Sequence, residues 1–96
     1  MDEKKIYSTR DINLATTLII LKFELINIDY QYEGEVQKPV GYFIFDESEE
    51  RVIAEKNYYA HKLLVEPQSF SYQLRELKSR INNFYKNPHY RNQRGR

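Results

Sequence analysis

Residues 26–32 read INIDYQY, with Ile26, Ile28, Tyr30 and Tyr32 alternating with Asn27, Asp29 and Gln31. A period of two sends successive side chains to opposite faces of an extended backbone, so this stretch predicts a strand with one face turned toward a core. VGYFIFD at 40–46 supplies a partner. There Tyr42 and Ile44 point one way and Phe43 and Phe45 the other. Two apolar faces predict an interior strand, paired antiparallel with its predecessor across the loop GEVQKP. KIYS at 5–8 predicts a short first strand.

The remaining apolar pattern is helical. In DINLATTLIILK, Leu14, Leu18 and Leu21 fall at i, i+4 and i+7, and Ile12, Ala15 and Ile19 form a neighbouring stripe. That wide apolar face predicts a mostly buried helix, with Thr9 or Asp11 as its N-cap. DESEERVIAEKNYYAHKLL predicts a second helix, opened by Asp46 with Glu49 at capping-box spacing. Val52, Lys56, Tyr59 and Leu63 would share its face, flanked by Ile53, Ala60 and Leu64. Pro67 suits the first turn of a third helix, in which Phe70, Leu74, Leu77, Ile81 and Phe84 recur at helical spacing. Arg75, Lys78, Ser79, Asn82 and Lys86 fall on its other side, and Asn87-Pro88 ends it. The order β-α-β-β-α-α is that of an α+β fold: a small three-stranded, antiparallel-containing sheet with helices packed on one face. Ninety-six residues suit one domain, placed at residues 1–86, followed by a basic tail at 87–96.

YSTRDINLATTLIILKFEL, GYFIFD and VEPQSFSYQLRELKSRI together resemble a small family of bacterial and phage domains of unknown function. The matching positions are Thr9, Asp11, Ile12, Leu14 and Ala15, then Phe43 and Phe45. Val65, Glu66 and Pro67 follow, then Phe70, Leu77 and Lys78. The resemblance spans roughly residues 6–82 and implies a compact α+β module, often phage-borne or on mobile elements, with no implied reaction. The family pattern has glycine after the first helix where this chain has Lys22. That departure argues against a left-handed cap there, because a side chain costs about 1 kcal/mol in that conformation.

Catalytic signatures are missing from the sequence. His61 and His89 lie on different elements with no carboxylate at ligand spacing, so His61 reads as a packing or surface residue and no metal is expected. The acidic run DESEE is explained by a helix N-terminus, which favours acids. No serine sits in a glycine-flanked elbow, and there is no cysteine to act as a nucleophile. Glycines at 34, 41 and 95 cannot build a phosphate loop. The expectation is a protein that is not an enzyme and carries no cofactor. The lack of cysteine and of an apolar leader fits a reducing cytoplasm, and no apolar run is long enough for a membrane span.

Charge gives the functional lead. Residues 1–50 hold five Lys and Arg against eleven Asp and Glu, net −6; residues 51–96 hold ten against three, net +7. The halves could simply attract each other, but the basic half ends in KNPHYRNQRGR, which has nothing to build a core from. Arg75, Lys78, Lys86, Tyr90, Arg91, Arg94 and Arg96 form the expected nucleic-acid-binding set, with Tyr85 interleaved. RNA or single-stranded DNA is the expected partner, and a ribonucleoprotein or phage complex the expected setting. A solubilising tail without a partner is the plainer use of the same residues. Tyr30 and Tyr32 could offer a stacking platform, but Glu24, Asp29 and Glu33 beside them repel phosphate and favour a core role. The rival reading is a protein–protein interaction module, either a homodimer or a phage-encoded adaptor or inhibitor of a host protein. Its surface would be the Phe43–Phe45 strand, Tyr58, Tyr59 and the acidic half.

Overall fold

The structure is a computed structural model that describes residues 5–32 and 39–86. Its elements run β1 (Ile6–Thr9), α1 (Ile12–Ile20), β2 (Leu25–Gln31), β3 (Val40–Asp46), α2 (Glu49–Tyr59) and α3 (Pro67–Lys86). This is the α+β order the periodicities predict. The strands lie in the order β1-β3-β2 and both pairings are antiparallel, so β3 is interior as its two apolar faces require. The loop at 33–38 and the tail at 87–96 fall outside the described residues.

One face of the sheet carries the core. Phe43 and Phe45 are buried there with Ile28, against Leu14, Ala15 and Leu18 of α1, Ala54 of α2 and Leu77 of α3. Burying each large side chain of this kind stabilises the fold by about 1.5–3 kcal/mol. On the opposite face of β3, Val40, Tyr42 and Ile44 are half-buried, and the register sets Ser8, Asn27, Asp29 and Gln31 beside them. The Arg10 guanidinium lies 5.9 Å from the Tyr42 ring.

The structure departs from the sequence pattern at several positions, each for an identifiable reason. A register shift between Leu25 and Asn27 makes Ile26 an extra residue, a β-bulge. The core face of β2 is therefore Leu25, Ile28 and Tyr30, and Ile26 is exposed. In α2 the N-cap is Ser48, whose hydroxyl accepts from the Arg51 N–H, whereas Asp46 is spent in β3 opposite Ile6. The helix ends at Tyr59, leaving Leu63 and Leu64 in the connection, and its buried residues are Arg51 and Ala54 rather than an apolar row.

Arg51 can face inward because its charge is matched there. Nε and Nη2 donate to Glu47, Nη1 donates to Glu55 Oε1 at 2.7 Å, and the guanidinium lies 3.5 Å from the Tyr7 ring centroid. Burial opposes the cation, but the hydrogen bonds to the two carboxylates outweigh it and hold its pKa above the ordinary arginine value. The same bonds, acting against desolvation, pull the Glu47 carboxyl below its usual range.

Both shorter helices end on a left-handed residue. Lys22 has φ 79°, its N–H donates to the Ile19 carbonyl, and the Phe23 N–H donates to that of Leu18. His61 has φ 61°, donating to Tyr58, and Lys62 donates to Asn57. These are paired Schellman bonds, which close the free carbonyls of a last turn. The missing glycine at position 22 thus did not prevent a left-handed cap: the two bonds and the packing of Phe23 on the core offset the strain of the side chain.

Candidate nucleic-acid interface

α3 begins at a cap that the sequence supplies unusually, with a glutamate. Glu66 accepts from the Gln68 N–H at 3.1 Å and the Ser69 N–H at 2.6 Å, and Pro67 takes the first position. Those backbone donors, Ser69 first, lower the Glu66 carboxyl. The helix then runs for 20 residues along the core. Leu77 and Phe84 are its buried residues, with Ile81 packed between them.

The C-terminal half of α3 is held close to the sheet at two points. A Cβ on Gly41 would stand 3.0 Å from Ile81 Cδ1 and 3.3 Å from Ile28 Cγ2, so glycine in β3 leaves room for the Ile81 side chain against the sheet. On β2, the Tyr30 ring stacks on Phe84 with centroids 3.9 Å apart and planes 5° from parallel, and its hydroxyl donates to the Arg80 carbonyl at 3.4 Å. Tyr30 is therefore a docking residue for α3 on the helix-covered face and offers no open stacking platform. Tyr32 lies beyond β2 and is exposed.

That docking directs one side of the helix outward. Arg75, Lys78, Ser79 and Asn82 are exposed, opposite Leu77 and Phe84. Arg75 and Lys78 are three residues apart, roughly 4.5 Å along the axis. Arg75 Nη1 reaches the Ser71 hydroxyl at 3.5 Å, and among the described residues no carboxylate pairs with either cation. These four line an open groove of about 480 Å³ whose apolar wall is Pro39, Ile81 and Tyr85. The sequence identified the cations, but not Pro39, which reaches the groove from the residue before β3. Arg80 is also exposed on α3, outside the groove. Of the other expected binding residues, Lys86 closes α3, and Tyr90, Arg91, Arg94 and Arg96 lie outside the described residues.

A second cleft, of about 640 Å³, opens where α2 turns into α3. Tyr58, Leu63, Val65 and Phe70 line it together with Tyr59 and His61. Tyr58 and Tyr59 meet edge to face at 5.0 Å, and the Tyr59 hydroxyl donates to Asp11 Oδ2 at 3.2 Å. Desolvation, then the nearby Asp11 charge, pushes both phenols upward. Leu64 beside the cleft is 97% exposed. The Phe43 and Phe45 rings, by contrast, are buried in the core, while Tyr42 and Ile44 on the other face of the same strand are half-buried. Among the described residues no three His, Asp or Glu side chains gather as a metal site, and no helix is long and apolar enough to cross a membrane.

Comparison of the chain with protein-family models, with curated proteins and with solved structures found no match.

Proposed function

We propose that the chain is a non-enzymatic nucleic-acid-binding module for RNA or single-stranded DNA, acting as a small cytoplasmic subunit of a ribonucleoprotein or phage-derived complex. The observation that supports this reading is the outward side of α3, where Arg75 and Lys78 stand exposed one turn apart without a described acidic partner. The sequence continues the charge through Lys86, Arg91, Arg94 and Arg96. Each phosphate neutralised releases counterions, so a few such contacts give a usable, salt-sensitive affinity. The test is binding of labelled single-stranded RNA across a salt series, with and without residues 87–96. Affinity should fall as salt rises, and removal of the tail should weaken binding and flatten the salt dependence. An unchanged affinity and slope would remove the tail from the interface.

A second reading, a protein–protein module, is favoured by the exposed Leu64 and Tyr59 beside the aromatic cleft. It moves the contact surface from the buried Phe43 and Phe45 rings to the α2–α3 connection. Light scattering over a concentration series tests self-association, and a mass that stays monomeric counts against a homodimer.

A further inference from the structure

A surface that only follows a phosphate backbone needs cations and little else. The groove on α3 offers more: an apolar wall of Pro39 and Ile81, the aromatic side chain of Tyr85, and the amide of Asn82 on the same outward side as the two cations. Long helical side chains lean toward the N-terminus, which carries Tyr85 back toward the turn of Ile81 and Asn82. An apolar and aromatic lining suits the face of a nucleobase, which every base presents. A primary amide supplies both a donor and an acceptor, as a base edge requires. At about 480 Å³ the groove falls within the roughly 300–1,000 Å³ typical of small-molecule sites.

We infer that this groove holds one unpaired nucleotide. The base lies along Pro39, Ile81 and Tyr85, its edge meets Asn82, and the flanking phosphates meet Arg75 and Lys78. The inference rests on the nucleic-acid reading above and deepens it by naming the recognised element as a single-stranded base. Bases in a duplex are stacked and hide their faces, so a paired strand can use only the cations. Gly41 bears on the site only through Ile81, whose Cδ1 lies 3.0 Å from where a Cβ at position 41 would stand.

The test compares three probes on the full chain by fluorescence anisotropy: a short single-stranded RNA, the same backbone carrying abasic residues, and the matching RNA duplex. The single strand should bind roughly tenfold or more tightly than the abasic strand, as expected for a stacked base. Tyr85→Leu should reproduce that loss without changing the salt slope, whereas Arg75→Ala with Lys78→Ala should flatten the slope. Asn82→Ala, an exposed substitution that leaves the core intact, should weaken the single strand and leave the abasic strand unaffected. Photo-crosslinking of the bound single strand should map to residues 78–85. Equal affinity for intact and abasic strands with a shared salt slope would overturn the inference and leave the nucleic-acid reading standing. No binding by any of the three probes would overturn both.

Discussion

α1 and α3 pack against each other over one core and are built on opposite plans. α1 has nine residues, five of them buried in succession from Leu14 to Leu18, and no charged side chain. Even its two buried threonines are satisfied locally, donating to the Ile12 and Asn13 carbonyls at 2.7 and 2.9 Å. α3 is more than twice as long, buries Leu77 and Phe84, and leaves Arg75, Lys78, Ser79 and Asn82 in solvent. The contrast separates a helix that is nearly all core from one that packs on the core along one side and presents polar residues on the other.

The comparison is most easily broken at Leu18, which is fully buried. Leu18→Ala should cost about 2–5 kcal/mol, measured by urea unfolding followed by circular dichroism. A loss below about 1 kcal/mol would mean that α1 is not the stabilising element. Arg51→Ala asks whether α2 belongs with α1. It should cost about 2–3 kcal/mol, by loss of the buried guanidinium and its pairs. The pH dependence sharpens that result. Glu47 has a lowered carboxyl pKa, so its contribution is complete above the ordinary value of 4.5 and is lost as pH falls through the lowered one. The acid limb of stability should therefore flatten in Arg51→Ala.

Smaller effects separate the two plans more finely. Arg75→Ala combined with Lys78→Ala should weaken single-stranded RNA binding roughly tenfold at about 0.1 M salt and reduce the logarithmic salt slope by about 1.4. Its unfolding free energy should stay within about 0.5 kcal/mol of the parent, since neither residue touches the core. Lys22→Gly should stabilise by about 1 kcal/mol through relief of the left-handed strain, seen as a rise of several degrees in Tm. A fall in Tm would mean that the Lys22 side chain contributes more than its backbone strain costs.

The element order could be read from the sequence because most elements keep a dominant period. Ile28 and Tyr30 alternate inward, and Leu77, Ile81 and Phe84 recur at helical spacing. The bulge at Ile26 could not be read, since an extra residue looks like one more step of the same alternation until its partner strand is known. Arg51 was hidden for a different reason. A charge on a helix reads as a solvent position, and only the meeting of Glu47, Glu55 and Tyr7 around it makes burial affordable. The outward cations of α3 were legible as the positions opposite its apolar face. The groove they border was not, because Pro39 joins it across more than thirty residues of chain.

Lys22 and His61 each sit where glycine would be relaxed. The protein therefore holds mutational headroom that it has not used. Installing glycine at both helix ends would give a sturdier background, one able to absorb changes along β3 or in the α3 groove that the parent could not survive. Such a background would let a saturation library of the groove report specificity rather than collapse.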